Sequence, residues 1–337
     1  MKTTIYLIRH GEAEGNVFRR LHGQYNSVLL PRGYEQRAYL LKRFEGIHID
    51  AVYSSDLTRA RLTAESISVP KGLELHTDPA FREIHVGIWE DLSYGYLDNF
   101  CGEKMWQFSH DPVAWHVDGA ERYAQYTQRF IQAMEKAALD HPGETIAIFS
   151  HGAVLRGTLM HLFFQDRPEQ LPLGDNTAVS QLVYESGKFH YEYLNDNSHI
   201  PEYLSTFSLQ SWWRKTDNRK EANLYFLPLD MAPSLSEALP QLANSAHTMV
   251  AILMGRSVGY ISWELPEGDL GIISDICIEP GMEGRGYADQ LLGTAFSHFR
   301  RLGCRRLMLR FRDYPDDVFC KYGFDPVDHT RSISASW

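Results

Sequence analysis

A short apolar strand near the N-terminus, residues 4–8, ends on Arg9, His10 and Gly11, and this junction constrains the chain more than any other feature. Strand ends in α/β sheets are where ligands bind, because side chains there leave the packed sheet for an open crevice. Gly11 allows the backbone to turn sharply and to approach a ligand closely. Arg9 offers a planar fork of donors to an oxyanion, and His10 can act as a nucleophile or a proton carrier near neutral pH.

A second junction of the same kind lies downstream. Residues 145–149 have the pattern of a buried strand, which is followed by Ser150, His151 and Gly152. Two histidines that follow two strands of one sheet are expected to meet at the same edge of that sheet. The sequence therefore predicts one site that contains both histidines.

Four sequence blocks together resemble the histidine phosphatase family, the phosphoglycerate-mutase-like superfamily. The blocks are residues 9–16 (RHGEAEGN), 54–64 (SSDLTRARLTA), 82–90 (REIHVGIWE) and 149–152 (FSHG), and residues 195–199 (NDNSH) resemble the usual closing segment. One short motif is weak evidence, but four in family order over residues 1 to about 200 are specific. The resemblance implies an α/β fold, with a three-layer αβα domain of the phosphoglycerate-mutase type.

The residue types in these blocks suit phosphoryl transfer. A phosphomonoester carries up to two negative charges, so its pocket needs cations and directed donors. Arg9 and Arg59 would hold the non-bridging oxygens, and His151, if protonated, would stabilise charge on the transferring group. His10 must be neutral to attack phosphorus, with one ring nitrogen held by a backbone carbonyl. Glu83 is the candidate acid for the leaving alkoxide and the candidate base for the hydrolytic water.

The resemblance places catalytic roles on five residues and a phosphate contact on a sixth: Arg9, His10, Arg59, Glu83 and His151, with Asn16 as the contact. It implies no metal and no cofactor for this domain, since the arginines supply the charge. Glu90 and Asp91 remain alternatives to Glu83 as the acid. Asp56 is predicted to be the N-cap of a helix that runs from Leu57 to about Ile67 and has Arg59 near its start.

Phosphatase is favoured over mutase by the short stretch between Glu83 and His151. A mutase must reorient a phosphorylated intermediate before water intervenes, and its relatives use a long insertion there. Here an amphipathic helix predicted from Ala120 to Leu139 takes up much of the stretch. Other large apolar residues between Glu83 and His151 are predicted either to line a substrate cap or to pack in the core: Tyr94, Tyr96, Phe100, Met105, Trp106 and Trp115.

The chain of 337 residues is long enough for two domains, each with its own core. A formal net charge of −10 argues against nucleic acid or an anionic membrane as a partner. Four cysteines without paired or metal-ligand spacing predict reduced thiols. The N-terminal apolar run is too short for a signal peptide, so the expected location is the cytoplasm.

The predicted organisation is a phosphatase domain over residues 1–203, a linker over residues 204–221 and a second domain over residues 222–337. Residues 205–213 (STFSLQSWW) have the pattern of a short docking helix. Residues 214–221 form a charged run without apolar periodicity, which is typical of a solvated linker.

The second domain begins with strands, predicted at residues 224–227, 249–254, 258–264 and 270–278. A glycine-rich turn follows at residues 279–288 (EPGMEGRGYA), and a helix is predicted from there to about Arg301. A strand, such a turn and a helix form a pyrophosphate cradle, because free backbone N–H groups converge where the helix dipole is positive. With a further strand at residues 306–311 and the segment KYGF at 321–324, this part resembles a GCN5-related N-acetyltransferase (GNAT) domain, a smaller α+β fold.

The GNAT resemblance implies acetyl-CoA as cofactor and an amine as substrate. The expected cofactor-binding residues are Ile276, Cys277, Ile278, Gly284, Arg285, Gly286, Tyr287 and Ala288. Two positions depart from the family pattern: Glu283 replaces the usual Gln or Arg, and Phe319 stands where a tyrosine often protonates the thiolate. Asp275 and Glu264 are candidate bases for an amine, with structural roles as the alternative.

The main hypothesis is a phosphomonoester hydrolase that acts on a small molecule through phospho-His10, fused to an acetyl-CoA-dependent N-acetyltransferase-like domain. One alternative is a phosphoglycerate-type phosphomutase. Another is a phosphatase whose second domain senses acetyl-CoA without turnover. The sequence names neither substrate and gives no oligomeric state.

Overall fold

The computed structural model describes residues 1–210, 219–232, 247–266, 268–310 and 320–333. The helices of these segments are α1 (Glu14–Val17), α2 (Pro31–Phe44), α3 (Thr58–Ser68), α4 (Tyr94–Phe100), α5 (Gly102–His110), α6 (Tyr123–Asp140), α7 (Gly152–Phe163), α8 (Thr206–Leu209) and α9 (Tyr287–Arg301). The strands are β1 (Thr3–Arg9), β2 (Ala51–Ser54), β3 (Leu75–Thr77), β4 (Thr145–Ser150), β5 (Val179–Glu185), β6 (Lys188–Asp196), β7 (Tyr225–Pro228), β8 (Thr248–Leu253), β9 (Arg256–Glu264), β10 (Leu270–Ile278), β11 (Arg306–Leu309) and β12 (Thr330–Ser332).

The chain forms two compact units. The first unit comprises Met1–Ala13, Gly23–Glu90 and Trp106–Leu209, and the second comprises Glu14–His22, Asp91–Met105 and the chain from Gln210 onwards. Two short segments from within the phosphatase-like sequence therefore belong to the second unit. Among the described residues, no helix combines the length and the apolar character that crossing a membrane requires.

The first unit is built on a six-stranded sheet in the order β3-β2-β4-β1-β5-β6. Strands β1 to β4 run parallel, and β5 and β6 pair antiparallel at one side. Tyr6 and Ile8 pack with Leu40 of α2 and Ile67 of α3 on one face. Because side chains alternate along a strand, the residues between them face the side of α6 and α7, which also contact β1. The predicted α/β three-layer domain is confirmed.

The second unit is built on another six-stranded sheet, in the order β12-β11-β10-β9-β8-β7. Only β10 and β11 run parallel among these described strands, and the others pair antiparallel. Helix α9 packs on this sheet and contributes Leu291, Leu292, Phe296 and Phe299 to its core. The predicted α+β architecture is confirmed.

The core of the second unit also contains Phe18, which comes from the segment that follows the first histidine motif. Phe18 is 1% exposed, and its ring centroid lies 5.0 Å from that of Phe296. A Cβ placed on Gly293 of α9 would lie 2.4 Å from the Cβ of Phe18. The absence of a side chain at Gly293 therefore allows this close approach of Phe18 to the helix.

Of the apolar residues considered for a substrate cap, Met105 and Trp115 are buried, whereas Tyr96, Phe100 and Trp106 are exposed. Helix α4 lies against β7, since a Cβ on Gly95 would be 1.9 Å from the carbonyl oxygen of Leu224 and the ring of Phe100 is 5.2 Å from that of Tyr225. In the first unit, Trp115 is buried with its ring 5.5 Å from that of Trp89. Core packing therefore accounts for Met105 and Trp115.

The N-cap prediction for Asp56 was wrong. The helix begins at Thr58 and its N-cap residue is Leu57, which makes no side-chain capping bond. The Asp56 carboxylate instead accepts two hydrogen bonds from the guanidinium of Arg82, at 2.7 and 2.6 Å. A bidentate ion pair with arginine is stronger than a single bond to a backbone amide, and this explains the difference. The predicted helix at residues 205–213 is α8 in its described part, and Trp212, Trp213 and Phe319 lie outside the described residues.

Candidate active site

His10 and His151 emerge side by side from the sheet of the first unit. Arg9 of β1 is paired with Ser150 of β4 in the parallel register, so the next residue of each strand is a histidine. The two imidazole centroids lie 5.2 Å apart, and both side chains are buried. The register of the β1–β4 pair thus brings the two histidines together.

The ring of His10 is held in one orientation by its own loop. Its Nδ1 lies 2.7 Å from the carbonyl oxygen of Gly11. Because a carbonyl oxygen can only accept, Nδ1 carries the proton in the neutral ring and Nε2 carries the lone pair. Burial, followed by the positive charges of Arg59 and Arg9, lowers the pKa of His10 well below its ordinary value of 6.5. The geometry therefore provides a neutral imidazole with a nucleophilic Nε2.

We expect His10 to stay neutral as the pH falls from 8 to 6. In histidine-selectively labelled protein, the ring signal that is lost in a His10→Ala variant should keep its chemical shift over this range. Because the folded-state pKa lies below the unfolded value of about 6.5, His10 should also lower the free energy of unfolding as the pH falls below that value. A titration of the His10 signal with a midpoint near 6.5 would contradict the burial argument.

Arg59 lies at the start of α3 and is completely buried. Its Nε donates to Nδ1 of His151 at 3.1 Å, and its two terminal nitrogens donate to the carbonyl oxygens of Tyr25 and Gly23, each at 2.8 Å. Within the described chain, two of its five N–H groups have no partner, so they can bind an oxyanion. The bond to His151 also decides the tautomer of that ring.

The tautomer of His151 follows from its contact with Arg59. An arginine Nε–H is always a donor, so Nδ1 of His151 must be an acceptor and its proton must be on Nε2. The doubly protonated ring, which the sequence analysis named only as a condition, does not fit this contact. A neutral His151 can still donate from Nε2 to a phosphate oxygen, and the positive charge of the pair resides on Arg59.

Arg9 supplies a second guanidinium from the end of β1. Its Nη1 donates to the carbonyl oxygen of Gly174 at 2.7 Å. A Cβ placed on Gly152 would be only 3.1 Å from the Nε of Arg9, so the glycine lets the guanidinium lie against the first turn of α7. Anionic ligands are favoured at the N-terminus of α7 by the helix dipole as well as by Arg9.

Glu83 is held at the N-terminus of α7. Its Oε1 accepts from the backbone amides of Ile84 and Val154, at 3.0 and 2.6 Å, and its Oε2 accepts from that of Ala153 at 3.0 Å. A carboxylate has about four acceptor positions, and three are used here. The position that remains is on Oε2. The third sequence block thus places a carboxyl group at the amides of Ala153 and Val154, which closely follow His151 in the chain.

Glu90, one alternative to Glu83, has a different place in this unit. Its carboxylate accepts from the amides of Gln24, Tyr25 and Val86, at 2.8, 2.9 and 3.1 Å, and burial raises its pKa. It therefore joins the loop at residues 23–25 to the third sequence block. The same loop gives two carbonyl oxygens to Arg59, so Glu90 helps to position Arg59 indirectly. Sequence reasoning missed this function, because the contact joins residues 65 positions apart.

The remaining predicted phosphatase residues belong to the second unit. The backbone carbonyl of Asn16 accepts from Nε2 of Gln210 at 2.8 Å. Asp91, the other alternative acid, forms a buried ion pair with Arg20 at 2.7 Å and accepts a hydrogen bond from Ser297. This pairing gives Asp91 a structural function within the second unit.

The predicted cofactor residues of the second unit lie on β10 and at the start of α9. Ile276, Cys277 and Ile278 pair with β9 on one side, whereas the described part of β11 pairs only with Leu270–Ile273 on the other. Gly284 and Gly286 have φ angles of +74° and +70°, a region that L side chains rarely adopt. Gly286 is the N-cap residue of α9, so the first amides of that helix point into the turn.

Glu283 departs from the family pattern, and its carboxylate binds a backbone amide earlier in the same turn. Its Oε2 accepts from the N–H of Gly281 at 2.8 Å. The carboxylate therefore occupies a donor of the turn in which a pyrophosphate would bind. Asp275 accepts from the hydroxyl of Tyr260, and Glu264 forms an exposed ion pair with Arg310. These contacts give both candidate bases structural partners.

The described residues contain no group of three or more histidine, cysteine or acidic side chains arranged to hold a metal ion. In the described structure the four cysteines form no disulfide.

Comparison with known proteins identifies both parts of the chain. A model of the histidine phosphatase superfamily (branch 1) matches residues 5–197, and a model of the acetyltransferase (GNAT) family matches residues 208–318. A probable phosphoglycerate mutase GpmB of Serratia proteamaculans is 33% identical over 154 residues, which cover 45% of this chain and 70% of that protein. Phosphoserine phosphatase 1 of Hydrogenobacter thermophilus is 27% identical over 200 residues, which cover 59% of this chain and 95% of that protein.

Solved structures match the first of these two parts. Bacillus stearothermophilus YhfR has 31% sequence identity and a TM-score of 0.57, covering 59% of this chain and 100% of that structure. A variant phosphoserine phosphatase from Entamoeba histolytica in complex with phosphoserine has 26% identity and a TM-score of 0.52, with coverage of 59% and 100%. The family match extends over more than half of the chain and contains the strand-end histidines described above. The protein therefore belongs to the histidine phosphatase superfamily (branch 1) and carries a GNAT acetyltransferase domain in its C-terminal part.

Proposed function

We propose that the first unit hydrolyses small phosphomonoesters through a phosphohistidine at Nε2 of His10. The observation that carries this proposal is the contact between Nδ1 of His10 and the carbonyl oxygen of Gly11. It leaves Nε2 as the basic atom of a neutral imidazole, beside two arginines and a second histidine. Phosphatases and phosphomutases among the relatives support the same chemistry.

The hydrogen-bond donors around His10 would bind the phosphoryl group. The N–H groups of Arg59 without partners and the guanidinium of Arg9 offset the charge of the phosphate oxygens, and Nε2–H of His151 donates to one of them. These donors are already fixed by the Tyr25, Gly23 and Gly174 contacts, so little reorganisation is needed when charge develops on the transferring group.

In the first chemical step, the lone pair of His10 Nε2 attacks phosphorus, the P–N bond forms and the bond from phosphorus to the ester oxygen breaks. The proton on Nδ1 stays in its hydrogen bond to Gly11, which stabilises the cationic ring of the phosphohistidine. The departing alkoxide takes a proton from Glu83. Because the other three acceptor positions of Glu83 are used by backbone amides, we assign this proton to Oε2.

In the second step, Glu83 removes a proton from water and the resulting hydroxide attacks phosphorus. The P–N bond breaks, free phosphate leaves, and His10 and Glu83 return to their starting states. No metal is needed in either step, since the arginines and His151 supply the positive charge and the donors.

The alternative reaction is a mutase, which returns the phosphoryl group to a second position of the same substrate. The names of the relatives include both activities, so the experiment must separate them. Purified full-length protein should be incubated without added metal with phosphoserine, 3-phosphoglycerate and glycerol 3-phosphate. Free phosphate and the phosphorylated products are then measured together.

We expect release of free phosphate from at least one substrate and a phosphoenzyme that survives an alkaline quench and is lost in acid. Phosphate exchange within 3-phosphoglycerate, with little free phosphate, would establish the mutase instead. Turnover without any trapped phosphoenzyme, even in rapid-quench samples, would contradict the covalent route.

We propose further that the second unit binds acetyl-CoA, which would supply an activated acetyl thioester for an amine substrate. The support is the backbone of residues 281–288 together with the side of β10 beyond Ile273 that the described part of β11 does not pair. The turn glycines and the first amides of α9 fit a pyrophosphate. Titration of full-length protein with acetyl-CoA in a calorimeter tests this binding directly.

Glu283→Gln is expected to tighten acetyl-CoA binding by about tenfold. The substitution removes a negative charge that lies on the Gly281 amide and would repel the cofactor phosphates. Dissociation constants of the variant and the parent should be compared at low and high salt, since the gain should shrink as screening increases. Glu279→Gln, in the same turn but paired with Arg256, is a matched control. Equal or weaker binding in Glu283→Gln would show that the carboxylate does not compete with the cofactor.

A further inference from the structure

Arg9 and His10 both contact one loop of the first unit, residues 174–177, which precedes β5. Nη1 of Arg9 donates to the carbonyl oxygen of Gly174 at 2.7 Å. The backbone carbonyl of His10 accepts from Nδ2 of Asn176 at 2.9 Å. The loop therefore fixes the guanidinium of Arg9 and the backbone of His10 at the same time.

The backbone of this loop has an uncommon conformation at Thr177. Its φ angle is +60°, which a β-branched residue rarely adopts, and its amide donates to the carbonyl oxygen of His10 at 3.3 Å. Such a conformation persists only where the surrounding contacts impose it. The contacts that hold the loop therefore also decide the place of His10.

Asp175 provides the contacts that hold the loop. It is only 1% exposed. Its Oδ1 accepts from the amide of Asn176 at 2.7 Å, and its Oδ2 accepts from the hydroxyl of Ser205 at 2.6 Å and from the amide of Phe207 at 3.2 Å. Because burial penalises an ionised carboxylate, these donors are needed to keep Asp175 in its place. Residues 205 and 207 thus hold the centre of the loop.

The same short segment also contacts the residue two positions after His10. Glu12 is buried, and its Oε2 accepts from the hydroxyl of Thr206 at 2.8 Å. Gln36 joins the two parts of the chain, since its Oε1 accepts from the amide of Glu12 at 2.7 Å and its Nε2 donates to the carbonyl oxygen of Leu204 at 2.8 Å. The chain after His10 is therefore held by the residues that also hold Asp175.

Residues 204–207 lie between the two family matches, which cover residues 5–197 and 208–318. They fall within the predicted linker and belong to the first unit. The contacts to Asp175 and Glu12 therefore come from a part of the chain that matches neither family.

We propose that residues 204–207 are a positioning segment for the phosphatase site. Through Asp175 the segment holds the loop that orients Arg9 and His10, and through Thr206 it holds Glu12. This role rests on the proposed hydrolysis through His10. A nucleophile must approach phosphorus in line with the departing oxygen, so a displacement of about 1 Å can lower the rate by about 100-fold.

Asp175→Asn tests the first link in the full-length protein. Three donors converge on the carboxylate, and an amide has only one oxygen, so at least one of the three contacts must be lost. We expect kcat/KM for the preferred phosphomonoester to fall by about 10- to 100-fold. In histidine-selectively labelled protein, the ring signals of His10 should shift. Asp166→Asn, at an exposed position of the same unit, is the matched control and should change neither readout.

Thr206→Val tests the second link and takes the place of Asp175→Asn should that variant fail to fold. Valine keeps the branched shape but removes the hydroxyl that lies between Glu12 and Gln36. We expect kcat/KM to fall by about tenfold. Thr206→Ser restores the hydroxyl and should recover most of the lost rate. Equal losses in the valine and serine variants would contradict a role for the hydroxyl in positioning.

The ring signals of His10 separate this proposal from the proposed activity, because they are recorded without substrate. Signals that shift in Asp175→Asn but not in Asp166→Asn would support the positioning segment even if the parent released no phosphate, a result that would contradict only the proposed function. Unshifted signals and parent-like rates in folded Asp175→Asn and Thr206→Val would overturn the proposal.

Discussion

His10→Ala is expected to reduce phosphate release by the full-length protein by about 10⁴-fold or more, because loss of a nucleophile removes the covalent route entirely. The methyl group cannot form the P–N bond, while the proposed phosphate ligands Arg9, Arg59 and His151 are all retained. Substrate binding should therefore be retained while turnover is lost. Initial rates of phosphate release and the dissociation constant of the preferred phosphomonoester should be measured on the same preparations.

His110→Ala is the matched control for this variant. His110 is exposed at the end of α5, and its ring stacks on Trp106 at 5.2 Å. It should leave the rate unchanged. A His10→Ala protein that still forms an alkali-stable phosphoenzyme would place the nucleophile on another residue, and His151 would then be the first candidate to replace.

The meeting of His10 and His151 could be predicted from the sequence because it depends on local patterns. Each histidine directly follows an apolar strand, and parallel strands of one sheet end at the same edge. The same holds for the glycine-rich turn before α9, where glycines mark positive φ angles at fixed positions. Such features are encoded by neighbouring residues.

The supports of the site were not predictable in the same way. Asp56 precedes a helix and has the composition of an N-cap, yet its carboxylate binds Arg82. Glu90 holds the loop at residues 23–25, and the protonation of His151 follows from one contact with Arg59. These interactions join positions far apart in the chain, and no local periodicity predicts them. Only the folded arrangement shows which donor meets which acceptor.

The composition of the second unit is the clearest case of this limit. The sequence pattern placed the change of domain near residue 204, whereas residues 14–22 and 91–105 fold with the C-terminal part. Phe18 looks like any apolar residue after a catalytic motif, but it lies in the core beside Phe296 and Tyr322. Residues 222–337 expressed alone would lack this side chain and the ion pairs of Glu14.

Glu14→Ala is expected to lower the free energy of unfolding of the second unit by about 3–5 kcal/mol, the range typical of breaking a buried ion pair. One oxygen of Glu14 pairs with Arg300 of α9 and the other with Arg331 of β12, and all three side chains are buried. Removing the carboxylate takes away the Glu14 oxygen that each of these two buried guanidinium groups contacts. Urea unfolding of the full-length protein, followed by signals from each unit, measures the loss.

Glu192→Ala tests whether this loss is specific to the buried position. Glu192 also pairs with a basic side chain, Lys2, but at 3.9 Å and with more than half of both side chains exposed. Exposed pairs contribute between about 0 and 1 kcal/mol, so the control should unfold almost like the parent. Similar stabilities of the two variants would mean that α9 and β12 keep their places without Glu14. A large loss confined to Glu14→Ala would show that the segment after His10 stabilises the acetyltransferase-like fold, because no other residue of α1 links both elements through an ion pair in the described structure.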